Sequence, residues 1–189
     1  VVCGVKYRLM SRGDNGSQPV GAEALKKVPR DTLTLMTKMW TNDDGSEKRE
    51  SVSKTLDRFR QEVGTDYFVI LLLHCMTKGD WAETRKFYMD GLAKAKQDGI
   101  VKAVGVSCHN WEALVEAVDN PWCAVILARL NPFQRQMDGT VDAVNELLRK
   151  PLTLGQGLTG LHHFVYGTHY PDYQRERYHS TAVPDSHCQ

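Results

Sequence analysis

Four short apolar runs recur through the middle of the chain. They are Thr32 to Lys38, Tyr67 to His74, Val101 to Ser107 and Ala124 to Leu130. Each is followed by a stretch whose hydrophobic residues return at helical spacing. Val52, Leu56 and Phe59 form the first such stripe, in a segment that the turn at Asn42 to Gly45 and Ser46 should open. Phe87, Leu92 and Ala95 form the second, which Asp98-Gly99 should end with a left-handed cap. Trp111, Leu114, Val115 and Val118 form the third, and Val141, Val144, Leu147 and Leu148 form a fourth, ended by Pro151. Period-two or continuously apolar runs predict strands, and the three-to-four spacing predicts helices. The continuous apolar character of Tyr67 to His74 suits a strand covered on both faces.

Strands alternating with helices predict βαβ units and a parallel sheet. An open doubly wound sheet and a closed barrel both fit that order. Neither Gly-x-Gly-x-x-Gly nor Gly-x4-Gly-Lys-Ser/Thr occurs in the chain, which favours the barrel over an open nucleotide-binding sheet. The ends differ from the middle. Residues 1–20 show no period, and Ser11 to Pro19 is turn-rich. Residues 21–150 carry the barrel portion. Residues 151–189 hold five of the seven histidines, without regular pattern, and read as an unpatterned tail.

Composition narrows the function only slightly. The 189 residues are 41% hydrophobic and 25% charged, with a formal net charge of +1. This is the mix of a globular domain, without electrostatic reason to expect nucleic acid or an anionic membrane as partner. The longest apolar stretch, Val69 to Leu73, is too short to span a bilayer. No charged start leads into an apolar leader core. The five cysteines are odd in number and lack a Cys-x-x-Cys pair, so reduced thiols and a cytoplasmic location are expected.

The chemistry-bearing residues cluster at strand ends. The four runs finish on Lys38, His74, Ser107 and the Arg129 to Asn131 stretch. In parallel α/β folds the working face lies at the carboxyl ends of the strands. These residues should therefore converge on one mouth, together with Cys108. Each has a plainer reading: Lys38 as a solvated strand end, His74 as a core histidine, Trp40 as packing, and Ser107 as a helix N-cap.

Several stretches together resemble the aldo-keto reductase family. They are Thr37-Lys38-Met39-Trp40, Ser53 to Phe59, Gly64 to Tyr67 leading into Leu71 to His74, Gly91 to Lys94, and Gly99 to Ser107. The resemblance covers about residues 20–148. It implies a (β/α)8 TIM-type barrel, here partial and incomplete at both ends, since such barrels take about 250 residues. It also implies a nicotinamide cofactor, NADPH or NADH, and reduction of a small-molecule aldehyde or ketone. Lys38 and His74 match the family's catalytic Lys and His. Ser107 matches a residue that contacts the nicotinamide amide, and Cys108 stands beside it where many members have Asn. Trp40 resembles a wall of the substrate pocket.

The family's Asp-x4-Tyr-Gly motif is missing. Asn15-Gly16 falls where Tyr-Gly is expected, Met10 where Asp is, and Val69 stands where another Asp is usual. An incomplete or impaired enzyme is therefore expected. Two alternatives stand beside it: a non-catalytic fragment that binds a partner or itself through exposed barrel edges, and a metal-dependent barrel hydrolase. The latter would use His74-Cys75 and Cys108-His109, although neighbours on a strand face opposite ways. The tail histidines lack a tight ligand spacing, and no metal is expected.

Overall fold

The structure is a computed structural model that describes residues 7–12, 22–23, 25–41, 50–129 and 138–153. Among the described residues five strands form one sheet: β1 (Tyr7–Arg12), β2 (Leu33–Met39), β3 (Phe68–Met76), β4 (Val101–Cys108) and β5 (Val125–Leu127). Their spatial order is their chain order, and every pairing is parallel. The helices between and after them are α1 (Val52–Val63), α2 (Trp81–Thr84), α3 (Lys86–Gln97), α4 (Trp111–Asp119) and α5 (Val141–Thr153). Sequential parallel strands with intervening helices are the connectivity of successive units of a (β/α) barrel.

Strand alternation sorts the buried side chains onto two faces. Leu35, Met39, Leu71, Leu73, Val104, Val106 and Ile126 pack under the helices. Met36, Ile70, Leu72, Val125 and Leu127 form a second cluster on the opposite face. Period-two alternation puts Lys38 with Met36, His74 with Leu72, and Ser107 with Ala103, all on this second face. The expected mouth is thus built by one face of three adjacent strands.

The helix stripes hold at α1, where Val52, Leu56, Phe59 and Val63 are buried. The Ser51 hydroxyl accepts from the Lys54 amide at 3.3 Å and caps this helix. Gly64 closes it at φ 70°, a left-handed conformation that glycine adopts without steric cost. Ser46, expected near the start, lies outside the described residues. Gly99 follows α3 in the expected left-handed conformation. Asn110, and not Ser107, caps α4: its side chain accepts from the Glu112 amide at 2.6 Å.

Several expectations are corrected. Residues 7–12 are not irregular but form β1. Their mixed polarity hides a strand that exists because it pairs with β2, from Tyr7↔Leu33 to Arg12↔Lys38. The inward face of α3 runs through Tyr88, Leu92 and Ala95, while Phe87 is exposed and meets the Tyr88 ring edge-on at 5.3 Å. In α4 the small residues Ala113 and Ala117 join Leu114 and Val118 against the sheet, and Trp111 is turned outward. Helix α5 continues past Pro151 to Thr153. A proline forfeits one backbone hydrogen bond but already holds a helical φ. Residues 154–189 lie outside the described residues, along with the tail histidines.

The amino ends of the strands are held by Arg30. Its guanidinium donates to the Leu33 carbonyl at 2.9 Å, the Tyr67 carbonyl at 2.7 Å and the Thr65 hydroxyl at 3.0 Å. It also lies over the Tyr67 ring at 4.0 Å, with Lys102 4.4 Å from the same ring. One arginine thus joins the starts of β2 and β3 through charge-assisted hydrogen bonds. Burial holds its pKa below the usual value.

Candidate active site

The carboxyl ends of β2, β3 and β4 bring the expected residues together. Lys38 is buried at 6% exposure, His74 at 6% and Ser107 at 2%. Trp40 follows β2 and sets its ring edge against His74, with centroids 5.0 Å apart. The Ser107 hydroxyl, which can both donate and accept, lies on the mouth face. In the backbone register Arg12 lies beside Lys38, and Met10 lies two residues deeper beside Met36.

A bulge reshapes the end of β3. Leu73 pairs with Val106, but Met76 pairs with Cys108, so β3 holds one extra residue there. Cys75 takes φ 65°, a left-handed conformation that costs a non-glycine residue of order 1–3 kcal/mol. The extra residue returns Met76 to the helix side. It leaves His74 and Cys75 together at the mouth, where plain alternation would have separated them. His109 meets both: its ring lies 5.8 Å from that of His74, and its Nδ1 lies 3.4 Å from the Cys75 sulfur.

The Cys108 side chain does not join this group, which corrects its expected place at the mouth. It falls on the helix face, is fully buried, and points its thiol at the Ala113 carbonyl at 3.7 Å. The four residues of the metal alternative therefore do not converge. Among the described residues no group of three or more His, Cys, Asp or Glu is arranged to hold a metal ion. Cys75 is disulfide-bonded, so the expectation that every cysteine is a reduced thiol is also corrected. Cys108 and Cys123 are free and buried.

Burial pushes both of these thiols up from the ordinary value, with smaller contributions from Asp138 at Cys108 and from Glu116 at Cys123. Alkylation needs the thiolate. Native protein is therefore expected to leave Cys108 and Cys123 unmodified by iodoacetamide at pH 8, while denatured protein labels both. Mass mapping of the labelled cysteines checks this, and rapid native labelling of either would contradict the burial.

Behind the mouth lies a polar layer that strand-end reasoning reached only in part. Arg129 follows β5. Its backbone N–H and guanidinium both donate to the Asp138 carboxylate, at 2.7 and 2.9 Å, and Nη2 donates to the His109 carbonyl at 2.6 Å. Burial raises the Asp138 pKa, and the bonds from Arg129 oppose that rise. Arg85, buried at the start of α3, donates through Nε to the Thr41 hydroxyl at 2.9 Å and so fixes the residue after Trp40. Asp138 and Arg85 have no strand-end position or motif to mark them. Asn131 lies outside the described residues.

A model of the aldo/keto reductase family matches residues 3–147. The chain belongs to the aldo/keto reductase family. The match begins earlier than the resemblance read from residue 20, because β1 is part of it. A methylglyoxal reductase, DkgB of Salmonella typhi, is 32% identical over 124 residues, which are 64% of this chain and 45% of that protein. An aldo-keto reductase of Mycolicibacterium smegmatis is 26% identical over 150 residues, 78% of this chain and 46% of that one. The chain thus spans less than half the length of these curated relatives. Among solved structures, an aldo-keto reductase from a deep-sea metagenome library superposes with a TM-score of 0.54 at 22% identity, covering 68% of this chain and 46% of that chain. One from Klebsiella pneumoniae, solved with NADP and acetate, gives 0.51 at 19% identity, covering 64% and 42%. At these identities the solved structures establish the fold. In this member of the aldo/keto reductase family the described sheet is therefore part of a (β/α)8 barrel.

Among the described residues no helix is long and apolar enough to cross a membrane.

Proposed function

We propose that the chain carries a nicotinamide-dependent carbonyl-reducing site at the mouth formed by β2, β3 and β4. The substrate class is small aldehydes or ketones, and the cofactor is NADPH or NADH. The observation that carries this reading is the placement of Lys38, His74 and Ser107 on one face, at the ends of three adjacent strands. The Ser107 hydroxyl suits a carboxamide, which needs both a donor and an acceptor. The family membership and the Klebsiella relative solved with NADP support the same assignment.

A bound nicotinamide would supply the hydride. The chain's own residues would manage the carbonyl oxygen, which gains negative charge as its carbon is reduced. The Lys38 ammonium, largely withdrawn from water, would stabilise that charge more than it could in bulk solvent. The His74 imidazole would donate a hydrogen bond to the same oxygen and orient it. The Trp40 ring, edge-on to His74, would wall the pocket and exclude water. The acid that the family draws from an Asp-Tyr pair is replaced in the sequence by Met10 and Asn15, so the alkoxide would take its proton from the Lys38 ammonium or from water, and turnover is expected to be slow.

NADPH titration followed by cofactor fluorescence should give saturable binding, and methylglyoxal should cause slow oxidation of the bound cofactor. Lys38→Ala should keep the binding and lower the oxidation rate by about 10²-fold or more, the loss typical of one charge-stabilising group. Absence of saturable binding of both NADPH and NADH at high concentration would overturn the proposal.

A further inference from the structure

We infer that Arg129 and Asp138 are positioning residues that clamp His109 against His74 at the mouth. The inference rests on the proposed carbonyl-reducing site, because His74 is the residue that the clamp would orient.

The peptide of His109 is gripped from two sides. Its N–H donates to the Met76 carbonyl at the end of β3, at 2.8 Å. Its carbonyl accepts from Nη2 of Arg129, at the end of β5, at 2.6 Å. The residue that follows β4 is thereby tied to both neighbouring strands. A side chain on so fixed a backbone has little freedom beyond its own rotamers. The His109 ring stands edge-on to His74 at 5.8 Å and sets Nδ1 3.4 Å from the Cys75 sulfur.

Arg129 can hold this position because Asp138 holds Arg129. The Asp138 side chain is fully buried, and its two oxygens take the backbone N–H and the guanidinium of Arg129 separately. A planar guanidinium held by Asp138 Oδ1 at both Nε and Nη2, each at 2.9 Å, cannot swing, so the remaining N–H of Nη2 is aimed at one place. That place is the His109 carbonyl. A lysine at position 129 could pair with Asp138 but would lack the second, rigidly placed donor. The arrangement crosses three segments: the end of β5, the turn before α5, and the loop after β4. A buried ion pair is weak evidence of a role in stability, since apolar replacements of similar volume often fold as well. The atom reached by the fork, a carbonyl at the mouth, favours positioning as its role.

The test uses the chain of residues 1–189 labelled at histidine and arginine, with no cofactor added, and NMR as the readout. In the unaltered protein the Arg129 Nε and Nη protons should give separate, protected signals, and the His74 and His109 rings should show a through-space contact. Arg129→Lys keeps the charge balance, and the double replacement Arg129→Met with Asp138→Leu removes the pair without leaving a buried charge. Both should stay folded, with the Tyr67 signals at the far end of the sheet unmoved, and both should lose the contact between the histidine rings. Persistence of that contact in either folded variant would overturn the inference. Arg129 signals averaged and exchanging like those of a free side chain in the unaltered protein would overturn it too, whatever the variants do. Failure of both NADPH and NADH to bind would sink the proposed function and leave this measurement untouched.

Discussion

Gly105→Ala is expected to break the pairing of β4 with β5 and to shift the urea midpoint more than any mouth substitution. A Cβ at Gly105 would lie 1.7 Å from the Val125 carbonyl oxygen and 2.7 Å from its carbon. Overpacking a core usually costs about 1–3 kcal/mol, because side chains rotate or shift to make room. The obstructing atoms here are backbone, in a strand of three residues that pairs with β4 at Gly105↔Val125. They can yield only by moving the strand, so the loss should reach or exceed about 3 kcal/mol, the top of that range. Hydrogen exchange should localise the damage to the amides of Val125 to Leu127. An unchanged midpoint, with those amides still protected, would show that the two strands are less close than described.

Trp81→Ala is the second large effect. Trp81 is 1% exposed and lies among the helix-side core residues, with its ring 6.4 Å from that of Trp122. Its indole N–H donates to the Ala113 carbonyl in α4 at 3.1 Å. The four-residue helix α2 is thereby anchored to the next helical layer. Truncation of a buried aromatic costs about 3–5 kcal/mol through lost burial and the cavity left behind. Trp81→Phe retains most of the apolar volume and removes the donor, so it should cost about 1–2 kcal/mol. Urea titration of both variants separates packing from the hydrogen bond. Equal losses would mean that the hydrogen bond, not the ring volume, dominates.

Both large effects fall on the scaffold, and the scaffold was the more legible part of the sequence. The run Val69 to Leu73 announces a strand buried on two faces, and β3 is that strand. The ordered strand-end residues announce one mouth, because parallel connectivity leaves them little choice. Lys38, His74 and Ser107 meet there for that reason. What stayed hidden depends on partners distant in the chain. β1 has no pattern of its own, since Tyr7 to Arg12 mixes charge and bulk and becomes a strand only beside β2. The bulge at His74-Cys75 adds one residue to a run that reads as uninterrupted, and no composition marks it. That single insertion decides that Cys75 sits with His74 while Cys108 faces the helices. Asp138 is one acid in a turn, and only the folded chain brings it to Arg129. In α4 the alanines Ala113 and Ala117 are buried while Trp111 stays exposed, an order that hydrophobicity along the chain does not mark.

The Arg30 bracket around Tyr67 has a consequence for how such a chain can diverge. It secures the starts of β2 and β3 through two carbonyls, a hydroxyl and a ring, and none of these belongs to the opposite end. Cohesion and chemistry are thus lodged at different ends of the same strands. Mutations that erase a proton donor or reshape a pocket draw on a separate account from those that keep the sheet assembled. A lineage built this way can shed or exchange its reactivity step by step while its architecture persists.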